Sequence, residues 1–357
     1  MFSGGDCLSG IINGEYILRV DRAEDLYGSL ALQIVKNGEC MFSNRKRVAL
    51  SVSLVLCLAL VIVAAFCISD IIYGDDNGGG PGADDALNAI YIDGELCYPK
   101  SGVQNYLVMG IDKYGEAEND GLGQADFLMV LSFDSNTKTY TMVPINRDTM
   151  VTVDEYDDFG GHRRVYKQIA LSHSYAGGEG VTNNLKCKNT AKAASEILMG
   201  MEFNGYMSMT MDAVAKFVEY IGGVEVTFEG ETVVLDTGES AIAYIRARSE
   251  LADVSNITRM ARQEAFLRAF FAKLGERQFS ESELITLYDE VRPYVCNDAG
   301  DAGYEVFFNM IKEYSVGETV SLKGAATKGK GGYIEFYVNE EHVKEVMLDV
   351  FYDKTKK

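Results

Sequence analysis

The chain has 357 residues, 47% of them hydrophobic, with only four prolines and a formal net charge of -20. That supply of apolar residues suffices for one or two packed domains beside a short anchor. The acidity excludes broad, sequence-independent binding of nucleic acid, which requires a basic face.

Residues 1–40 show no clear repeat or strong periodicity, and residues 1–47 read as a cytoplasmic segment. "MFSNRK" from Met41 would itself serve as an ordinary start. Val48 to Ile68 is uncharged and almost wholly apolar. As a helix it would be about 31 Å long, enough to cross a bilayer core of roughly 30 Å. Arg45, Lys46 and Arg47 precede it, whereas Asp70, Asp75 and Asp76 follow. The positive-inside rule then places the N-terminus in the cytoplasm and the rest outside the cell membrane. A cleaved signal peptide is the alternative; the length and late start of the run favour an uncleaved, single-pass anchor. Residues 69–95 contain the Gly, Pro and Asp run of Asp75–Asp85 and read as a linker. Residues 96–357 read as one extracellular domain.

Within that domain, "NYLVMGI" (Asn105–Ile111) and "DFLMVLSF" (Asp126–Phe133) are apolar runs of strand length. "TKTYTMVPI" alternates, and "DSNT" before it predicts a hairpin turn. One helix is predicted to start with a cap at Asn189 or Thr190, and another at Thr210. "VEVTF" returns to strand, "TRMARQEAFLRAFFAKLG" predicts a long helix closed by Gly275, and "GGYIEFYV" is a late strand. Mixed strands and helices over about 260 residues suggest a single α/β or α+β domain.

The hairpin brings the end of the third strand beside the start of the second. Asp112, Asp126, Arg147 and Asp148 thus converge on one sheet edge, where loops commonly carry a site. Further on, "AIAYIRARSELADVSNITRMARQEAF" gathers Arg246, Arg248, Arg259 and Arg262. If "AYIRAR" is extended, Arg246 and Arg248 share a face about 7 Å apart. On the next helix Gln263, Leu267, Phe270 and Leu274 form an inward stripe, with Arg259 one turn earlier. Arginine at a helix N-terminus favours a bound anion over the helix itself, and its planar fork suits phosphate oxygens. The rival readings are surface ion pairs with Glu250 and Asp253, and simple turn roles for Asp112 and Asp126.

Other motifs carry less. "GAATKGKG" lacks the Ser or Thr of a phosphate loop, and a strand follows it. "GLGQAD" is too short for a dinucleotide fingerprint. His162, His173 and His342 are solitary, and no cysteine has metal-ligand spacing.

The segments "NYLVMGID", "GQADFLMVLSFDSNTKTYTMVPINRDT", "QIALSHSYAGG", "GYMSMTMDAVAKFVEYIGGVEV", "GESAIAYIRAR" and "RMARQEAF" occur in the order of the LytR-CpsA-Psr family of membrane-anchored cell-wall enzymes. The chain resembles that family over roughly residues 100–275. The resemblance implies an α/β domain with an apolar pocket for a polyprenyl chain and a pyrophosphate at its mouth. It implies transfer of a glycopolymer, such as teichoic acid or capsular polysaccharide, from polyprenyl pyrophosphate to a peptidoglycan hydroxyl through a phosphodiester link. By position, Asp112 and Asp126 match the acidic residues at the magnesium–pyrophosphate site, and Arg147 the arginine of "PRD". Arg246, Arg248, Arg259 and Gln263 match the pyrophosphate-binding group; Arg262 adds to it by proximity. The proton acceptor is Asp126 or Asp148. Gln124, Asn146 and Gln168 depart from the family pattern, and the segment before "GES" predicts a trimmed hairpin. A polyprenyl-pyrophosphate phosphatase and a non-catalytic wall-polymer binder or regulator are the competing functions.

Overall fold

Alternating apolar positions open the folded part. In the computed structural model Ile90–Ile92 (β1) pairs with Glu95–Pro99 (β2), burying Ile92 and Cys97. This hairpin, with its own inward face, starts inside the segment expected to be linker. The structure describes residues 88–357 apart from 119–122, 158, 160, 178–180, 248–256, 277–278, 300–309, 311 and 355–357. Of residues 1–80, a separate unit, it describes only the paired strands Ile11–Ile12 and Glu15–Tyr16. The expected span Val48–Ile68 lies outside the described residues. No helix among those described is long and apolar enough to cross a membrane.

Val103–Ile111 (β3), Ala125–Asp134 (β4) and Thr139–Pro144 (β5) follow as an antiparallel meander. Met150–Tyr156 (β6) and His162–Gln168 (β7) form a second hairpin. Next come Leu171–Ser174 (α1), Asn183–Ile197 (α2), Gly205–Met209 (β8) and Met211–Ile221 (α3). The hairpin Val224–Phe228 (β9) and Glu231–Leu235 (β10) leads into Gly238–Arg246 (α4), Ile257–Glu276 (α5) and Glu281–Val291 (α6). Val295–Asn297 (β11), Ser315–Thr319 (β12), Gly324–Lys328 (β13) and Ile334–Val338 (β14) precede Glu340–Val346 (α7) and Tyr352–Asp353 (β15).

The central sheet has the order β11-β8-β3-β4-β5-β12, with β8 parallel to β3 and β12 parallel to β5. It is a mixed sheet covered on both faces. Val108, Met129, Leu131 and Met142 pack toward α3, α4, α5 and α6. Their neighbours Leu107, Met109, Leu128, Val130 and Val143 face α2, β6 and the C-terminal segment. Burial on both faces explains why β3 and β4 read as continuous apolar runs rather than alternating ones.

Two local expectations are corrected. Helix α2 starts at Asn183, capped by Thr182, whose hydroxyl accepts from Leu185 N at 3.4 Å. The expected caps sit inside it. Asn189 Nδ2 donates to the carbonyls of Asp154 and Ser172, at 2.9 and 2.6 Å, and so ties α2 to β6 and α1. The other correction is "AYIRAR", which is not extended. Its residues up to Arg246 form α4, opened by a capping box between Thr237 and Ser240. Gly238, Ala241 and Ile245 are its buried positions, the last two one helical turn apart. The hairpin β9–β10 is short but present, its strands joined by Glu229 and Gly230, both at positive φ.

Candidate functional site

The edge of β3 and β4 is built by their register. Ile111 opposes Ala125 after a local irregularity, and Asp112 N donates to Gln124 O at 2.9 Å. Beyond Pro144, Ile145 N donates to Leu128 O, which carries the chain back past the start of β4. A tight bend then turns Arg147 toward Asp126. Asn146, itself buried, makes the bend: its Oδ1 accepts from Asp148 N at 3.0 Å.

Arg147 is the hub. Its Nη1 forms an ion pair with Asp126 Oδ1, its Nη2 donates to Gln124 Oε1 at 3.0 Å, and its Nε lies 3.5 Å from Asp148 Oδ1. Arg259, near the start of α5, brings Nη1 to 3.9 Å from Asp126 Oδ2, with its side chain only 10% exposed. Arg246 ends α4. Its Nη2 is 3.4 Å from Asp112 Oδ1, and its Nη1 donates to Tyr114 Oη at 2.9 Å. Gln263 donates to Ile245 O at 3.1 Å and so fixes α5 against the end of α4.

Five of these groups line a cavity of about 170 Å³. Asp112, Asp126, Arg246, Arg259 and Gln263 form its polar end, and Phe127, Met207, Met209, Phe266 and Phe270 are among its apolar lining. Charge at one end and hydrocarbon along the rest suit an amphiphile with an anionic head. Asp126 has its proton affinity raised, first by burial. Arg147 and Arg259 oppose that rise, and the Asp112 carboxylate adds to it. Burial outweighs both guanidiniums.

Not every expected residue joins the cluster. Arg262 lies 5.8 Å from the centre of the Tyr244 ring and is absent from the cavity lining. Arg248 lies outside the described residues. Two positioning residues were legible only as departures from a pattern: Gln124, which accepts from Arg147 where a second arginine would be repelled, and Asn146, whose side chain makes the bend.

His173 is structural. Its Nδ1 lies 3.0 Å from Gly123 O and its Nε2 3.1 Å from Asn183 Oδ1, bracing the loop that leads to Gln124. Burial pushes its pKa down from 6.5 to about 4. As pH falls, the unfolded chain therefore takes up this proton first. The stability that His173 contributes is whole above pH 6.5 and is lost as pH falls through about 4. At about 1.4 kcal/mol per pH unit, the loss amounts to about 3 kcal/mol. An NMR titration should show this imidazole still neutral at pH 5; a titration step at the ordinary value would contradict the account.

A family model for LytR_cpsA_psr matches residues 86–349. The chain belongs to the LytR-CpsA-Psr family. The polyisoprenyl-teichoic acid–peptidoglycan teichoic acid transferase TagU of Bacillus mycoides is 25% identical over 261 residues, covering 69% of this chain and 77% of that protein. TagU of Bacillus cereus is 25% identical over 253 residues, covering 67% and 75%. Among solved structures, TagT bound to LI-WTA superposes with a TM-score of 0.52 at 23% identity, over 70% of this chain and 90% of that one. Bacillus subtilis TagV gives a TM-score of 0.53 at 19% identity, over 70% and 97%. These structures share the mixed α/β fold. Of the residues singled out in the sequence, Asp112, Asp126, Arg246, Arg259 and Gln263 line the cavity, and Arg147 reaches it only through its ion pair with Asp126.

Proposed function

We propose that the protein is a membrane-anchored phosphotransferase that moves a glycopolymer from polyprenyl pyrophosphate to peptidoglycan outside the cell. One observation carries the reading: Arg147 and Arg259 meet Asp126 where an apolar cavity opens. The cavity takes the lipid chain, and the arginines face its pyrophosphate. The relatives named as teichoic acid transferases support an anionic wall polymer as cargo. The apolar run Val48–Ile68, with basic residues before it, supports the anchor.

In the reaction, an acceptor hydroxyl oxygen bonds to the phosphorus that bears the polymer. The bond from that phosphorus to the bridging oxygen breaks, and polyprenyl phosphate leaves. Positioning and charge neutralisation do most of the work in such transfers. The hydroxyl proton passes to a carboxylate, and we assign that role to Asp148, whose Oδ1 lies 3.5 Å from Arg147 Nε. Asp126 and Asp112 fit a magnesium ion. Both line the cavity, the Asp112 carboxylate raises the proton affinity of Asp126, and such ions are commonly held by one or two carboxylates together with substrate phosphates. Among the described residues no cluster of three or more ligating side chains occurs, so a site that borrows the substrate's oxygens is the matching type. When bound, magnesium would neutralise charge on the pyrophosphate.

The test incubates the full chain in detergent with lipid-linked oligosaccharide, magnesium and peptidoglycan fragments. Mass spectrometry should find the oligosaccharide joined to the fragment through one phosphate. Release of free sugar phosphate regardless of acceptor would assign the protein as a hydrolase instead. No turnover at all would leave it a polymer binder.

A further inference from the structure

The donor cavity lies on the face of the central sheet lined by Val108, Met207 and Phe270. A second surface approaches the same charged edge from the opposite face. The hairpins β6–β7 and β13–β14 join there: Thr149 and Phe336 form a parallel bridge, and Phe336 N donates to Asp148 O at 2.8 Å. Thr149 and Phe336 are buried, as are Val151 and Val153, which belong to the core on that opposite face. Strand alternation therefore turns Met150, Thr152, Glu335 and Tyr337 outward. Register adds their partners, since Met150 opposes Gln168 and Thr152 opposes Tyr166. On the other side, Tyr337 and Glu335 oppose the small residues Ala325 and Thr327.

The outward face is thus a flat strip that starts beside Asp148. Tyr166 is 56% exposed and Tyr337 40% exposed. Tyr337 Oη donates to Glu335 Oε2 at 2.8 Å, and Gln168 Nε2 donates to Ile334 O at 3.0 Å, so the polar side chains are held in place. Exposed aromatic rings offer apolar faces to the C–H faces of pyranose rings. A carboxylate and an amide beside them accept and donate hydrogen bonds to sugar hydroxyl and acetamido groups. Small residues opposite the tyrosines leave the strip open.

We propose that this strip, carrying Tyr166, Gln168, Glu335 and Tyr337, binds the acceptor's glycan strand and delivers its hydroxyl to Asp148. The inference rests on the transferase reading and adds the place where the acceptor sits. In-line displacement requires the attacking oxygen opposite the leaving one. The leaving lipid phosphate departs into the cavity on one face of the sheet, so the acceptor must arrive from the other. The strip is continuous with the reacting edge through the Thr149–Phe336 bridge. Its chemistry, rings with hydroxyls and a bonded carboxylate, suits a carbohydrate better than a lipid or a second protein.

The test uses the full chain in detergent and soluble glycan strands freed of peptide stems. Calorimetric titration should show wild-type binding, weakened at least about tenfold in the double variant Tyr166→Ala/Tyr337→Ala, because truncated aromatic anchors carry such losses. Affinity for polyprenyl pyrophosphate should stay unchanged, which also shows that the variant is folded. In the transfer assay KM for the acceptor should rise while kcat stays within about twofold. Tyr337→Phe, which keeps the ring, should retain most glycan affinity. Equal binding by wild type and the double variant would overturn the proposal. So would a wild type that turns over lipid-linked polymer but binds no glycan strand, an outcome that leaves the proposed chemistry standing. Glycan binding that the double variant loses, in a protein that transfers to no acceptor, would uphold the strip and overturn the transferase reading.

Discussion

Asp126→Asn is expected to lower turnover of lipid-linked polymer by about a hundredfold to a thousandfold, the scale of losing one preorganised electrostatic group. The substitution keeps the shape and one acceptor oxygen but removes the charge. Arg147 retains Gln124 and Asp148 as partners, so the edge should stay folded. The cavity's apolar lining is untouched, and affinity for the lipid should change little. Asp112 and Asp126 are like charges lining one cavity, offset by Arg246 and by Arg147 and Arg259, and a bound cation would offset them further. Asp112, with 38% of its side chain exposed, is the better solvated of the two. Its asparagine variant should lose less. Transfer and lipid binding are to be measured side by side for both variants and for chelator-treated wild type. Full transfer by Asp126→Asn would remove that residue from the reaction, and transfer that survives chelation would remove the metal.

How much of this was legible before the structure depended on what each signal was made of. The meeting of Asp112, Asp126 and Arg147 follows from three consecutive strands, a tight turn and antiparallel pairing, all local features. The path of "AYIRAR" does not. Ile245 is its buried residue, yet the small, mixed residues around it also tolerate a strand, and only the capping box at Thr237 breaks the tie. The start of α2 was displaced because Asn189 and Thr190 carry the residue types of a cap. Both are buried, and Asn189 bonds to β6 and α1, partners that no neighbouring residue reveals. The roles of Gln124 and Asn146 were hidden for the same reason, since each is defined by a bond to the Arg147 segment. Four arginines looked equivalent in the sequence. The structure describes three of them and divides those: Arg246 and Arg259 at the cavity, Arg262 against Tyr244.

That division sets unequal expectations for anion binding. Arg259 is 10% exposed and its neighbour at the mouth, Arg246, 46% exposed. A charge–charge contact shielded from water is stronger than the same contact in solvent, and an exposed pair contributes little. Hydrogen bonds to charged groups contribute roughly 1.5–3 kcal/mol. Arg259→Ala should therefore weaken binding of polyprenyl pyrophosphate by about tenfold to a hundredfold, and Arg246→Ala by less than about tenfold. Lysine at 259 should restore only part of the loss, because it lacks the planar fork that matches phosphate oxygens. Binding of the uncharged polyprenol, which offers the same chain without the head group, separates the two ends of the cavity. It should be unaffected by either alanine variant. Arg259→Ala should thus erase most of the preference of the wild type for pyrophosphate over alcohol. If Arg259→Ala keeps that preference in full, the buried arginine serves only to offset the charge of Asp126, and the anion must be gripped elsewhere. If polyprenol binding falls as far as pyrophosphate binding, the variant has damaged the apolar cavity. Arg259 would then be a packing residue of α5 and not a ligand for phosphate.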